Sequence, residues 1–224
     1  MPTPAPTSRR GRPAKDPLSR EAIVAAGLRI LGRDGLDALT MRQVARELDT
    51  GPASLYVYVQ GRDDLMAAML DEAVGRVPPP PPGPWRDRLR ALAAATVEAV
   101  SRHEGLALAA LGSIPTGLNT LLVLDRMLAL LTEGGLDEAT AAWAVDLLYL
   151  HVIAAAAEQS AYNAKGCDEA AHTAEADRRF AALPADRYPM ITSLRPALLS
   201  GGDRDTWALN VLINGILGTP AEPR

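Results

Sequence analysis

The chain has 224 residues, with 23 Lys plus Arg against 27 Asp plus Glu, a formal net charge of −4 and a hydrophobic fraction of 48%. That much apolar material fills the core of one large or two small domains and excludes a wholly disordered chain, while an aromatic share of only 4% and an Ala- and Leu-rich apolar set favour helices over sheets. The single Cys167 excludes an internal disulfide, the N-terminus lacks the apolar core of a secretory signal, and no stretch approaches the about 20 uninterrupted apolar residues of a membrane span, so a soluble, cytoplasmic protein with no membrane partner is expected.

Residues 1–18, rich in Pro, Ser, Thr and Arg, are expected to form a disordered basic arm. Arg9, Arg10, Arg12 and Lys15 fall within seven residues there, although residues 1–76 as a whole carry 11 Lys plus Arg against 10 Asp plus Glu, and the remainder carries 12 against 17. Such a cluster is open to two readings, a solvated tail or a segment that binds a polyanion. Ser19 can cap a first helix bearing Ile23, Ala26, Gly27, Ile30 and Leu31 at helical spacing, which Gly35 ends. Thr40 and Gln43 have the spacing of a capping box, and Met41, Val44, Ala45 and Leu48 form the apolar face of a second helix over about 40–48.

A tight corner at Asp49 and Thr50 leads to a very short third helix that Gly51 caps and Pro52 opens. Leu55 and Val59, four apart, face inwards there and leave Ser54, Tyr56 and Tyr58 outside. A fourth helix is expected over about 62–76, with Asp63 and Asp64 near its positive end. The run PPPPPGP then stops it, since proline neither donates to nor fits inside a helical ladder. Beyond that run, helical periodicity recurs over about 85–103, 105–111, 116–133, 137–163, 169–183, 188–199 and 203–217. The expected organisation is therefore an arm at 1–18, a helical reading domain at 19–77, a stiff proline linker at 78–84 and a larger helical domain at 85–224.

Three short helices within residues 19–59, the second and third joined by a corner of about three residues, have the geometry of a helix-turn-helix. In such a unit the third helix is apolar inside and polar or aromatic outside, where it meets DNA. Tyr56 and Tyr58 fit that outer side, the other reading being half-buried core aromatics. The stretch LTMRQVARELDTGPASLYVYVQGRDDL, preceded by EAIVAAGLRILGRDGLDAL, resembles the DNA-binding domain of the tetracycline-repressor (TetR) family of bacterial regulators. The resemblance implies an all-α fold, an N-terminal three-helix DNA-binding domain joined to a C-terminal ligand-binding and dimerisation domain. It implies DNA contacts at Thr40 and Arg42 on the second helix, at Pro52, Ser54, Tyr56 and Tyr58 on the third, and at Arg62 opening the fourth. Where most members have glycine in the corner this chain has Asp49, a residue that tolerates the left-handed conformation better than most. Placed before such a unit, RGRP at residues 10–13 resembles a minor-groove hook, because narrow minor grooves attract inserted arginines.

One reading helix spans too few base pairs to select an operator alone, so a homodimer on a palindromic site is expected, with half-sites about 34–36 Å apart. The helices at 137–163 and 203–217 resemble the pair that builds the family's dimer bundle. Ala154 to Ala157 permit close approach on the first, and Leu209, Leu212, Ile213 and Ile216 form an apolar stripe on the second, which alternatively closes the subunit's own core. PWRDRL, LGSIP and GGLDEATAAWAVDLLYLHVIAAAAEQ resemble the family's ligand-binding part. Ala110 falls where the tetracycline-binding members have their metal-binding histidine, so neither a metal nor another cofactor is implied. Asn119, Arg126, Met127, Trp143, Leu147 and His151 are the candidate ligand-binding residues, with Met127 and Trp143 also readable as ordinary core.

The sequence has no Gly-rich phosphate loop and no His and Glu cluster at metal spacing, which argues against an enzyme. The expected function is a repressor that binds double-stranded operator DNA and is released by a small-molecule inducer. A regulator that activates, or that senses a protein partner, is the alternative.

Overall fold

The computed structural model describes residues 17–103, 105–111, 115–165, 169–200 and 204–222. Among them the regular structure is entirely helical: α1 (Arg20–Asp34), α2 (Met41–Glu47), α3 (Pro52–Leu55), α4 (Arg62–Val74), α5 (Trp85–Ser101), α6 (Leu106–Ala110), α7 (Leu118–Glu133), α8 (Glu138–Lys165), α9 (Glu169–Ala181), α10 (Pro189–Leu198) and α11 (Arg204–Gly218), with one 3-10 turn at Leu36–Ala38. The expected all-α fold is thus the observed one.

Local signals explain where the first helices begin and end. The Ser19 hydroxyl accepts from the Ala22 amide at 3.1 Å and opens α1, and Gly35, at φ 79°, donates its amide to the Leu31 carbonyl and closes it. The Thr40 hydroxyl accepts from the Gln43 amide at 3.2 Å and opens α2. Asp49 takes the corner at φ 49°, the left-handed conformation that its short polar side chain tolerates. Helix α4 stops at Val74, two residues short of the sequence expectation, because Gly75 and then the prolines take over.

One continuous apolar cluster runs from Ile23, Ile30 and Leu31 of α1 through Leu65, Met69 and Leu70 of α4 into Leu89 and Leu92 of α5, Met127 of α7 and Val152 of α8. Helix α4 is the shared member, packing on α1 at one end and on α5, α6 and α7 at the other. In the C-terminal part α5 lies along α8, with α7 and α6 against the same helix and α11 on its flank. Two arginine to asparagine bridges fix α11 to α5, with Arg86 donating to Asn214 Oδ1 and Arg90 to Asn210 Oδ1, both at 2.7 Å. Helices α9 and α10 pack on each other, and α10 buries none of its own residues.

Helix α8 combines length with high apolar content. Among the described residues it is the helix long and apolar enough, by length and composition, to cross a membrane. Counting uninterrupted apolar residues misses it, because Asp146 and Glu158 break the run without lowering the mean hydropathy of a 28-residue helix enough. Its buried side, Ala144, Leu148, Val152 and Ala156, faces the protein core.

Candidate DNA-reading face and regulatory cavity

Helix α3 is only four residues long, so nearly all of its order comes from tertiary anchoring. The helix ends at Leu55, short of the expected reach to Val59, and residues 56–58 continue it as a turn; Leu55 is 0% exposed and Val59 1%, and both join the core cluster beside α2. The opposite side is bare: Tyr56 is 54% exposed, Val57 80% and Tyr58 37%. Pro52 and Ser54 are exposed on the same short segment, as are Thr40 and Arg42 at the start of α2. The Thr40 hydroxyl oxygen is engaged as the helix cap, which leaves its hydrogen available to an outside acceptor. The structure therefore brings Thr40, Arg42, Pro52, Ser54, Tyr56 and Tyr58 to the surface along the helix-turn-helix, Thr40 at the cap of α2 and the two tyrosines in the turn that continues α3. Val57 belongs with them and sequence reading passed over it, although its position two residues from both Leu55 and Val59 is the signal that turns it outwards.

Arg62 behaves differently from the expectation. Its guanidinium donates to the Leu39 carbonyl at 2.9 Å and to the Leu36 carbonyl at 3.2 Å, so it braces the 3-10 turn ahead of α2 from within the chain. A second brace, unmarked in the sequence, is Arg20. It donates to the Tyr58 carbonyl at 2.7 Å and to Asp64 Oδ1 at 2.8 Å, while the Gln60 amide donates to Asp64 Oδ2 at 2.9 Å. The Arg20 guanidinium, and after it the Gln60 amide, holds the Asp64 carboxyl below its ordinary range despite the opposing effect of burial. Arginine, aspartate and two backbone groups thus fix the end of α3 to the start of α4. Arg9, Arg10, Arg12 and Lys15 of the basic arm lie outside the described residues.

The C-terminal part holds a cavity of about 400 Å³ between α5, α8 and α11. Ala93, Val97, Val152, Ala155 and Leu209 form its apolar wall, and Ser101, His151, Gln159 and Asn163 bring polar atoms to it. Its charged lining comprises Arg90, Glu98 and Arg102 of α5 and Asp205 of α11, with Arg90 paired to Asp87 and Arg102 to Glu98. Of the candidate ligand residues only His151 reaches this space. Asn119 is committed elsewhere, its amide donating to the Asp71 carboxylate and carbonyl of α4 at 3.2 and 3.1 Å. Met127 is wholly buried in the core, and Arg126 lies half-buried beside it on α7. Trp143 and Leu147 point outwards from α8, away from the core-facing row of Ala144 and Leu148. The sequence could not assemble the cavity, because it joins Ala93 to Leu209 across more than half the chain, and the helical spacing of its lining on α5 and α8 does not by itself say that those faces enclose a space. Among the described residues no three His, Cys, Asp or Glu side chains gather as a metal site would.

The family described as bacterial regulatory proteins of the tetR family matches residues 23–69, and the tetracycline-repressor-like C-terminal domain matches residues 77–219. The chain belongs to the TetR family of transcriptional regulators. As in that family, an N-terminal helix-turn-helix domain precedes a C-terminal helical domain. Among TetR-family relatives, the transcriptional repressor DrrR1 of Streptomyces coeruleorubidus is 31% identical over 198 residues, which are 82% of this chain and 72% of that protein. The class G tetracycline repressor of Vibrio anguillarum is 30% identical over 151 residues, 66% of this chain and 71% of its own. Among solved structures, apo ActR of Streptomyces coelicolor superposes with a TM-score of 0.78 at 33% identity, covering 90% of this chain and 98% of ActR. ActR has also been solved in complex with actinorhodin.

Proposed function

We propose that this TetR-family regulator is a cytoplasmic repressor that binds a palindromic operator as a homodimer and leaves it when a small molecule occupies its C-terminal domain. The observation that carries the reading is the division of α3 and the turn that continues it, with Leu55 and Val59 buried and Tyr56, Val57 and Tyr58 bare. A short helix anchored on one side and uncovered on the other suits a major groove, where exposed hydroxyls and methyl groups meet phosphates and base edges. Thr40, Arg42, Pro52 and Ser54 complete that face, and the basic arm with Arg9, Arg10, Arg12 and Lys15 supplies further phosphate contacts. Arg62 serves it from behind by holding the turn that carries Leu39 and Thr40.

Pairing of two copies is supported by the outward sides of α8 and α11. Trp143, Leu147 and Leu150 recur at spacings of four and three along α8, and Trp207 and Val211 lie four apart on α11, all of them exposed. Apolar rows of this kind on two adjacent helices suit a bundle between subunits, which assigns the apolar outer side of α8 to protein rather than to lipid. The α5–α8–α11 cavity has the size and the apolar wall of a small-molecule site. Because Arg90 and Arg102 already pair with Asp87 and Glu98 and Asp205 adds a carboxylate, the cavity disfavours an anion and suits an apolar-bodied ligand with a polar end toward Gln159 and Asn163.

The test is selection of a duplex from a random pool by the full chain, followed by footprinting and sedimentation of the complex. The expected result is two inverted half-sites about 34–36 Å apart with two chains bound. Enrichment of no sequence, or a single chain on a single site, overturns the reading.

A further inference from the structure

Helix α7 opens without a cap of its own. Its N-cap is Gly117, which has no side chain to accept from the first free amides. The acceptor comes instead from α4. Asp71 Oδ1 accepts from the Thr120 amide at 2.8 Å and from the Thr120 hydroxyl at 3.0 Å. Thr120 stands three residues after Gly117, the position that a capping side chain ordinarily serves. Asn119 adds the third and fourth bonds, its amide reaching Asp71 Oδ2 at 3.2 Å and the Asp71 carbonyl at 3.1 Å. Two glycines make this approach possible: a Cβ on Gly117 would collide with the Asp71 carboxylate, and a Cβ on Gly75 would fall 2.8 Å from Asn119 Nδ2. The carboxylate is also felt by Tyr149 of α8, whose hydroxyl is pushed up to about 12, first by burial and then by Asp71.

The other end of the same helix holds the reading segment. Asp64, seven residues before Asp71, takes the Arg20 guanidinium that also grips the Tyr58 carbonyl. Seven residues are about two turns, or about 10 Å of rigid rod. A rod fixed at one end to α3 and at the other to α7 transmits tilt from one to the other.

We propose that Asp71 is a positioning residue for operator binding: by capping α7 across the interface between α4 and α7, it sets the pitch of α4 and so the angle at which α3 is presented. The inference rests on the reading of α3 as the DNA-contacting helix. Asp71 lies away from the bare face of α3, so its effect on DNA runs through Asp64, Arg20 and the backbone of Tyr58.

The experiment compares wild type with Asp71→Ala, Asn119→Asp, Gly117→Ala and the double exchange Asp71→Asn with Asn119→Asp. The probes are the duplex that wild type enriches from a random pool and a random-sequence duplex of equal length, at one salt concentration. Each single variant is expected to lose about tenfold or more on the enriched duplex while binding the random one as wild type does, because phosphate contacts tolerate a tilt that base contacts do not. Asn119→Asp sets two carboxylates face to face, and Gly117→Ala displaces Asp71 while leaving every polar group in place. The double exchange restores a donor and an acceptor across the same gap and is expected to recover most of the loss, which a merely destabilising effect would not do. Hydrogen exchange at the first-turn amides of α7 reports the cap directly. Faster exchange there with unchanged affinity for the enriched duplex overturns the proposal, as does equal loss on both duplexes. Should wild type itself enrich no duplex, the failure belongs to the reading of α3 and not to Asp71.

Discussion

Leu55→Ala separates the anchoring of α3 from its outward chemistry. Leu55 is wholly buried, and α3 has too few residues to persist without it. Removing a buried leucine side chain costs about 3–5 kcal/mol where the cavity left behind does not collapse. A reading unit of roughly 60 residues is worth about 3–9 kcal/mol in all, so the substitution removes a large share of its stability. For a unit of that size each kcal/mol moves the midpoint by about 4–8 °C, which predicts a fall of about 12 °C or more. The tryptophans allow the two halves to be followed apart, since Trp85, Trp143 and Trp207 all lie beyond residue 77. In Leu55→Ala, circular dichroism should show an early helical loss, while tryptophan fluorescence, which reports the part beyond the shared helix α4, shifts by less. Val57→Ala and Tyr56→Phe alter the bare side and should move both melts by no more than about 0.5 kcal/mol, yet weaken binding to an enriched duplex. An unshifted dichroism melt for Leu55→Ala, or an early one for Val57→Ala, refutes the assignment of the two sides.

Deleting residues 1–15 should weaken operator binding and lower the slope of log affinity against log salt by about 3–4 per subunit, since each of the four arm cations that meets a phosphate adds about 0.9; an unchanged slope removes the arm from the interface. Asp64→Asn tests the brace by pH. The folded Asp64 carboxyl lies below its ordinary value because of Arg20, so its contribution is complete above about pH 5 and is lost as pH falls through the folded value. The stability gap between wild type and Asp64→Asn should therefore hold steady from pH 5 to pH 8 and close in stronger acid; a gap that widens in acid contradicts the geometry. Trp143→Glu combined with Val211→Glu places charge in both exposed rows and should halve the sedimenting mass of the free protein while its dichroism is kept, whereas an unchanged mass moves the subunit contact elsewhere.

How much of this was readable in the chain depends on whether the cause was local. Ser19, Thr40, Gly35 and Asp49 act within one turn of themselves, and the helix ends and the corner follow from them directly. Leu55 and Val59 mark the buried side of α3 by spacing alone. Arg62 misleads because the sequence shows a cation at a helix start and not the carbonyls of Leu36 and Leu39 that occupy it. Asn119 misleads in the same way, its amide being taken by Asp71 from 48 residues away. Met127, open to a pocket or a core reading from its apolar character alone, has no exposed surface and takes the core one. The α5–α8–α11 cavity was hidden for a different reason: a void is defined by the small side chains around it, and alanines at 93, 94 and 155 read equally well as tight packing.

Helix α8 shows how one physical requirement can imitate another. A membrane span is apolar all round because lipid surrounds it. Here the inner row of Ala144, Leu148, Val152 and Ala156 meets protein, while Trp143, Leu147 and Leu150 form a separate outer row with Asp146 set between them in sequence. Helix α11 repeats the arrangement, with Leu209, Ile213 and Ile216 inside and Trp207 and Val211 outside. Lipid would not require that match, because it imposes no register between neighbouring helices. A second copy of the same surface does, since a two-fold axis presents each row to its own image. On the pairing proposed above, the apolar content that makes α8 look like a span is the sum of two faces, one turned to the core and one left for a second copy. The polar braces from Arg86 and Arg90 to Asn214 and Asn210 hold those faces at a fixed angle.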